Sequence, residues 1–402
     1  MKDGFFTAKE TSSNSRKDGK VHSCASCGLY RDCRSPKMKA TGNFQKGILN
    51  IGEAPGDTED LRGKHWQGKT GRLLKKAYEK LGIDLFEDCL NINAVNCRPP
   101  SGRTPTPYEI DCCRKTILNA IAEYKPKVIV LLGGASLISV IGHRWKKDLG
   151  GIAKWRGWAI PDQDFKAWIC PTFHPSFVIR TEKEVETIWM TDLKNAVEHL
   201  DIPFKKYREP VIQIIDDLKH LDKFKTNRVG IDYETTGLKP HAKGHRIVCA
   251  SVAYNADCCY AFMMPNTPFE REPFTKLLGN TLVSKMAHNM KYEAAWSRVR
   301  LKQTVVNWEW DSMIAAHTLD NRPGITGLKF QTYVRFGVID YSSEISPYLK
   351  ATDSKNANAI NRIMELVEQP GGKEKLLRYC ALDTIFEFRL ALLQMEELNY
   401  KI

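Results

Sequence analysis

The sequence predicts two successive domains, the first of the α/β class and the second α+β or mixed α/β. Its 402 residues, 42% of them hydrophobic, are enough for two separate cores. Short apolar runs alternate with helical patterns in the first half, which is typical of a largely parallel sheet. The stretch "DIPFKKYREP" at 201–210 carries two prolines and no apolar periodicity. We therefore expect one domain at 1–203 and another at 204–402.

The elements of the first domain follow in chain order. Strands are expected in "GILNIGEAPG", "CLNINAV", "KVIVLLG" and "AWICPTFHP", and helices in "GRLLKKAYEKLG" and "EIDCCRKTILNAIAEY". Parallel strands need crossover connections, and the helices between these strands provide them.

The second domain begins with a different pattern. "VIQIIDDLKHLDKF" has helical spacing of its apolar residues, whereas "RVGIDYETTG" is typical of a strand. "RIVCASVAYNADCCYAFMMP" predicts two strands around an Asn-Ala-Asp turn. Long helices are expected from there to the end.

Charge and hydropathy limit the possible partners. The net charge of +13 favours a polyanion, most simply nucleic acid, with a solvated basic surface as the alternative. The first twenty residues lack the apolar core of a secretory signal, and the apolar run at 128–142 is too short to span a bilayer. We expect a cytoplasmic protein with no membrane partner.

In that compartment the twelve cysteines are not expected to form a disulfide framework, so some of them need another role. Cys24 and Cys27 form a C-x2-C pair, and Cys97 and Cys113 are separated by fifteen residues. Four thiolates suit either a zinc ion or a cubane iron-sulfur cluster, and the open second spacing favours the cluster. Cys112 is an alternative to Cys113 as the fourth ligand.

Three stretches resemble the motifs of the family 4 uracil-DNA glycosylases, over roughly the first 200 residues. They are "NIGEAPGDTEDLRGKHWQGKTGRLL", "NINAVNCRPPSGRTP" and "FHPSFVIR". The resemblance implies a three-layer α/β fold and a [4Fe-4S] cluster held by Cys24, Cys27, Cys97 and Cys113.

Uracil excision leaves a uracil anion and an oxocarbenium-like sugar, so the site needs a base pocket and a hydrogen-bond donor. The resemblance implies that His174 faces the uracil oxygen that gains charge. It also implies that Asn93 reads the amide-like edge of the base, and that Glu53 positions water. The pocket is expected to be lined by Ala54, Glu59 and Trp66. The sequence departs from the family at "HWQG", where Trp66 replaces the usual phenylalanine.

The second half carries a set of acidic residues. Asp232 and Glu234 alternate on one strand and therefore share a face, where two carboxylates can hold a divalent cation. Tyr379 and Asp383 are one helical turn apart, and Glu293 lies in "AHNMKYEAAW".

This set resembles the DEDD-y exonucleases, specifically the proofreading domain of family A DNA polymerases, over roughly residues 211–400. The resemblance implies a ribonuclease H-like fold and two Mg²⁺ or Mn²⁺ ions bound by Asp232, Glu234, Glu293 and Asp383. Tyr379 would orient the attacking water. The family has aspartate where this sequence has Glu293.

The two resemblances together predict a bifunctional enzyme that excises uracil and degrades DNA from 3' ends. One alternative is a replication subunit in which one or both sites have decayed. Another is a repair nuclease whose glycosylase-like half only scans for lesions. Expected partners are DNA, single-stranded or at 3' ends, and a separate DNA polymerase chain, because the sequence stops about one helix after Asp383. The alternative is that this sequence is a piece of a longer chain that continues into the polymerase.

Overall fold

The computed structural model describes residues 22–223, 225–351, 353, 356 and 358–400, so the N-terminal segment considered above lies outside it. The described chain forms two compact units. One comprises the residues up to Tyr207 together with Tyr333–Ile339, and the other comprises Arg208–Thr332 and the residues from Asp340 onward. No helix among the described residues is long and apolar enough to cross a bilayer.

The first unit contains a five-stranded sheet in the order β2-β1-β3-β5-β4. All neighbouring strands are parallel except β4, which runs antiparallel to β5. The strands are β1 (Ile48–Gly52), β2 (Cys89–Asn93), β3 (Val128–Leu132), β4 (Ile160–Asp162) and β5 (Ala167–Thr172). Every residue of these five strands is buried, as expected for a sheet covered on both faces.

Helices connect these strands. They are α1 (Asp57–Arg62), α2 (Lys69–Lys80), α3 (Pro107–Tyr124), α4 (Gly134–Leu137), α5 (Ile152–Trp155), α6 (Pro175–Val178) and α7 (Lys183–Glu198). Short 3₁₀ turns lie at Leu29–Arg31 and Pro100–Gly102, and a π turn at Ile138–Gly142. The start of α3 is fixed by a capping box between Thr106 and Glu109. The predicted α/β class of this half is confirmed.

The second unit contains a six-stranded mixed sheet in the order β11-β10-β7-β8-β9-β6. Its strands are β6 (Val211–Ile214), β7 (Arg228–Thr235), β8 (Ile247–Asn255), β9 (Cys258–Met263), β10 (Ser284–Ala287) and β11 (Trp308–Asp311). β7, β8 and β9 form an antiparallel meander, and the other pairings are parallel.

The helices numbered in this half are α8 (Pro268–Gly279), α9 (Lys291–Trp296), α10 (Ser312–Leu319), α11 (Leu328–Phe336), α12 (Ile363–Val367) and α13 (Gly372–Glu397). A 3₁₀ segment lies at Leu218–Lys223 and a π turn at Ser297–Leu301. The long helix α13 packs against β7, β8 and β9. This arrangement confirms the mixed fold expected of a ribonuclease H-like domain.

Two predictions for this half are wrong. The segment 211–224 was expected to be a helix, but Val211–Ile214 form an edge strand beside β9 and a 3₁₀ segment follows. Its β-branched residues favour the strand, and pairing with β9 outweighs the helical spacing. Helices were also expected throughout the remainder, where the structure has the two strands β10 and β11.

Candidate active sites

The predicted base-pocket residues meet at the carboxyl ends of parallel strands in the first unit. Asn93 ends β2, and His174 follows β5. A Cβ on Gly52, at the end of β1, would lie 2.4 Å from Asn93 Oδ1 and 3.0 Å from the Trp66 ring. The Trp66 and His174 ring centroids are 5.9 Å apart. The fold therefore brings these side chains around one point, where open α/β sheets place their ligands.

His174 is held in one tautomer. The backbone N–H of Ser176 donates to His174 Nδ1 over 3.2 Å, and the Ser176 hydroxyl lies 2.7 Å from the same nitrogen. Because a backbone N–H can only donate, Nδ1 accepts, and the ring proton of the neutral imidazole is on Nε2. Burial, with a smaller effect from the nearby Arg180, lowers the pKa of His174 to about 4. His174 is therefore a neutral N–H donor at physiological pH.

A pH profile of excision is expected to reflect this low pKa. Since His174 stays neutral until the pH approaches 4, its titration should cause no loss of excision between pH 8 and about 5.5. Side-chain NMR of the histidine ring provides the direct measurement. A titration of His174 near its ordinary value of 6.5 would contradict the assignment.

Trp66 occupies a strained backbone position. Its φ is +59°, a left-handed conformation that large side chains rarely adopt. The Trp66 indole N–H donates to Asn91 Oδ1 over 3.0 Å, which fixes the ring. A Cβ on Gly71 would lie 2.0 Å from the Trp66 carbonyl oxygen, so this turn requires glycine there.

Gly71→Ala is therefore expected to displace Trp66 and reduce uracil excision, with a loss of stability of about 1–3 kcal/mol. Steady-state excision kinetics and thermal unfolding measure the two effects. Gly151→Ala is the control for changing glycine as such, because Gly151 is exposed with an ordinary φ of −88° and a Cβ there meets no atom within 4 Å. Equal losses in both variants would show that Gly71 has no special role in positioning Trp66.

Three other residues predicted for the pocket are Glu59, Glu53 and Ala54, and their contacts are less direct. The Glu59 carboxylate accepts from the backbone N–H groups of Gln67 and Gly68, over 2.8 and 2.7 Å, and so supports the turn that follows Trp66. Glu53 is partly buried, and burial raises its pKa while Arg180 opposes that rise. Ala54 packs against the apolar cluster that includes the cysteines.

Those cysteines converge from three segments of the chain. Cys97 and Cys113 are buried in an apolar cluster, and Cys27 packs against it. The charges that act on Cys113 are those of Cys24, Cys27 and Cys97, so the four predicted ligands are neighbours. Cys112 instead interacts with Tyr108 and Cys27.

The distances between these cysteine sulfurs can be compared with those required by a zinc ion and by an iron-sulfur cluster. Among the described residues, no three cysteine sulfurs lie within 4.8 Å of one another, whereas ligands on one zinc ion at about 2.3 Å would be closer. The backbone N–H of Lys37 donates to Cys97 Sγ over 3.2 Å, as expected around iron-sulfur sites. Burial raises the pKa of Cys97 to about 11, so its thiolate needs a cationic partner. These residues fit an iron-sulfur cluster better than a zinc ion.

A carboxylate cluster lies in the second unit. Carboxylate oxygens of Asp232, Glu234 and Asp383 lie within 4.8 Å of one another. In the described part of the chain, this is the one group of acidic residues that lies so close together. The first two project from β7 and the third from α13, as the periodicities predict. Burial and the charge of Asp383 raise the pKa of Asp232 well above its usual range, and Lys329 opposes the rise. Clustered carboxylates of this kind suit divalent cations.

Glu293 is not part of that close group. It lies on α9, 2% exposed, and its Oε2 has no hydrogen-bond partner among the described residues. The start of α9 is held by Asp311, whose carboxylate accepts from the backbone N–H groups of Asn289 and Met290, each over 3.0 Å.

Sequence reasoning missed two residues of this site. The Lys329 ammonium donates to Asp383, and it lies 3.9 Å from the ring centroid of Tyr341 and 4.3 Å from that of Tyr379. The Tyr341 hydroxyl donates to Asp383 over 2.6 Å. Both belong to segments between the acidic motifs, and no local pattern marks either as a site residue.

The first unit thus has an α/β sheet with Asn93, Trp66 and His174 at the carboxyl ends of its parallel strands, and the second has a mixed sheet with a buried group of three carboxylates. The sequence profile of the Uracil DNA glycosylase superfamily matches residues 40–198. The type-4 uracil-DNA glycosylase of Thermotoga maritima is 35% identical over 178 residues, which cover 44% of this chain and 89% of the relative. The chain belongs to the type-4 uracil-DNA glycosylase family.

A second relative extends beyond this domain. A DNA polymerase of Bacillus phage SP01 is 26% identical over 327 residues, covering 72% of this chain and 34% of the polymerase. That coverage exceeds either unit, so the similarity includes parts of both. Among solved structures, Escherichia coli RNase D, an exoribonuclease, matches 48% of this chain and 46% of its own, with 12% identity and a TM-score of 0.34.

Proposed function

We propose that this protein excises uracil from DNA with its first unit and degrades DNA from 3' ends with its second. The observation that carries the first activity is the neutral His174 beside Trp66 and Asn93, in a chain of the type-4 family. The observation that carries the second is the group formed by Asp232, Glu234 and Asp383. The alternatives in which one site has decayed rest on the HWQG stretch and on Glu293, where the sequence departs from the two families.

In uracil excision, the chain's own groups bind the base and stabilise its departure. Trp66 offers a π-face for the flipped base, and the Asn93 carboxamide pairs with its amide-like edge. Nε2–H of His174 donates a hydrogen bond to the oxygen that becomes negative as the glycosidic bond breaks, while the imidazole itself stays neutral. Glu53 orients the water that attacks the sugar, and Glu59 acts as a positioning residue through the turn after Trp66.

For 3' end degradation, Asp232, Glu234 and Asp383 would hold two Mg²⁺ or Mn²⁺ ions, with Glu293 contributing from α9. Bound there, the metal would supply activation of a water and stabilisation of the leaving 3' oxygen. Tyr379 orients the water. Lys329 offsets the negative charge beside Asp383.

The cysteine cluster has a structural role in this proposal. A [4Fe-4S] cluster bound by Cys24, Cys27, Cys97 and Cys113 would fix the segment that carries Ala54 and the loop that follows Asn93. Cys113 is preferred to Cys112 because its electrostatic neighbours are the other three ligands.

The protein purified without oxygen is expected to be brown, since thiolate-bound iron absorbs visible light and zinc does not. Cys97→Ser and Cys113→Ser should each lose the colour and the bound iron, as measured by absorbance and iron analysis. Cys112→Ser and Cys258→Ser should retain both. A colourless protein with one zinc ion per chain would overturn this assignment.

One assay tests both activities in the same sample. Single-stranded DNA with one internal uracil and a 5' label is incubated with the protein in EDTA or in Mg²⁺. With EDTA, alkali should cleave at the abasic site only. With Mg²⁺, the strand should also shorten from its 3' end.

DNA is the partner in both activities, in the cytoplasm of a bacterial cell or a phage-infected host. The similarity to a phage DNA polymerase supports a polymerase as the source of 3' ends, and we place it on a separate chain. Recovery of a polymerase with the tagged protein from the source cell would support this pairing. Full proofreading-type activity of the isolated monomer, with no polymerase recovered, would contradict it.

A further inference from the structure

One edge of the six-stranded sheet is open. In the strand order β11-β10-β7-β8-β9-β6, β6 pairs with β9 on one side, and no strand of the described chain lies on its other side. Val211 and Ile214 are 53% and 42% exposed, and Gln213 is also exposed. The outer edge of β6 is therefore accessible to another chain.

The main-chain groups on this open edge can be assigned. The backbone N–H of Val211 donates towards β9, to the carbonyl of Asp257 over 2.7 Å, and the N–H of Ile215 donates to β9 over 3.0 Å. Alternate residues of a strand direct their N–H and C=O groups to opposite edges. The N–H and C=O groups of Ile212 and Ile214 therefore point outward, where they can pair with a further strand.

The strand itself carries little protection against such pairing. Charged side chains and bulges are the devices by which edge strands avoid other chains. β6 reads Val-Ile-Gln-Ile, with no charged residue, and its pairing with β9 has no shift of register. Pro210 comes directly before it and lacks an N–H, so it limits the pairing to a few residues.

The charges at the two ends of β6 select the occupant. The stretch "KKYRE" at 205–209 has three basic residues and one acidic residue, and "DDLK" at 216–219 has two acidic residues and one basic residue. In an antiparallel pair of identical strands, the basic start of each strand lies beside the acidic end of the other. A parallel pair would instead bring like charges together. The complementarity therefore fits a second copy in antiparallel orientation.

Two exposed side chains carry this complementarity. The Arg208 side chain is 83% exposed, and its guanidinium lies 3.8 Å from the carboxylate of Asp257 in the same copy. Asp216 is exposed at the other end of the strand. Both are accessible to a second copy.

We propose that β6 pairs antiparallel with β6 of a second copy of this chain, about a twofold axis at Gln213. Ile212 of each copy then lies opposite Ile214 of the other, and each such pair exchanges two main-chain hydrogen bonds. Arg208 of each copy lies at the same end of the pair as Asp216 of the other. The contact is isologous and closed, as in most homodimers. It is independent of both catalytic activities.

Sedimentation velocity of the full chain measures this association. Because the contact is short, we expect a reversible monomer–dimer equilibrium with a dissociation constant on the order of 10 µM or weaker. Ile214→Lys places a charge on the edge and should raise that constant at least about tenfold. Ile360→Lys is the matched control, because Ile360 is also an exposed isoleucine, at 47%, outside β6, and should leave the constant unchanged.

Charge reversal tests the orientation. Arg208→Glu and Asp216→Arg should each weaken the association, whereas an equimolar mixture of the two variants should associate like the unmodified protein. Every end contact in the mixed pair again joins opposite charges. Lys373→Glu changes the net charge as much as Arg208→Glu does, at an exposed position of α13, and should have no effect.

A chain that is monomeric at every concentration would overturn the proposal and leave the edge to a strand of another protein. Association that Ile214→Lys leaves unchanged would place the contact on another surface and overturn it equally. A mixture of Arg208→Glu and Asp216→Arg that stays monomeric would reject the antiparallel pairing. Circular dichroism checks that each variant is folded. If Ile214→Lys is not, Gln213→Lys places two like charges across the twofold axis from an exposed polar position, and the same comparison applies.

Discussion

Asp232→Asn is expected to slow Mg²⁺-dependent removal of nucleotides from a 3' end by about a thousandfold or more. Carboxylate oxygens of Asp232 lie within 4.8 Å of those of Glu234 and Asp383, so Asp232 is central to the cation-binding group. Metal ions contribute several kcal/mol of transition-state stabilisation, and each 1.4 kcal/mol or so changes a rate tenfold. Shortening of a 5'-labelled single strand on a denaturing gel measures the rate.

The matched control is Asp222→Asn, because Asp222 is exposed and lies outside the carboxylate group. Its rate should equal that of the unmodified protein. Uracil excision by Asp232→Asn in EDTA should also be unchanged, which shows that the first unit of the variant is intact. Persistence of 3' degradation in Asp232→Asn, or in EDTA, would reject the assigned carboxylate site.

The sequence predicted the carboxylate group because the periodicity of a strand or a helix decides which side chains lie on the same face. Asp232 and Glu234 alternate on a strand, and Tyr379 and Asp383 are one turn apart on a helix, so each pair had to project together. The structure confirms that three of these side chains lie close together. Glu387 has the same sequence signature as an acid on a solvated helix face, and only the folded structure shows that it is buried.

The base pocket shows a different limit of sequence reasoning. The motifs placed Trp66 and Glu59 near the base, but the left-handed backbone of Trp66 depends on a contact with Gly71 five residues later. Glu59 was expected to contact the substrate, whereas its carboxylate binds two backbone N–H groups of the neighbouring turn. Hydrogen bonds to backbone groups leave no residue pattern, so this role could not be read from the sequence.

The error at residues 211–224 has a related cause. Apolar residues at these positions fit helical spacing and also a β-branched edge strand followed by a turn. The choice depends on β9, which pairs with Val211–Ile214 from more than forty residues away. Long-range pairing of this kind overrides local propensity.

His174→Ala is expected to reduce uracil excision by about a hundredfold to a thousandfold, the usual cost of removing one donor to a developing oxyanion. The physical reason is the fixed Nε2–H of a neutral imidazole. Ser176→Ala should cost less, because the Ser176 backbone N–H still donates to Nδ1 and preserves the tautomer. Single-turnover excision from uracil-containing single strands, revealed by alkali, measures both variants. The 3' degradation rate in Mg²⁺ is the internal control and should match the unmodified protein. Undiminished excision by His174→Ala, with that control intact, would show that the uracil oxygen is stabilised by another group.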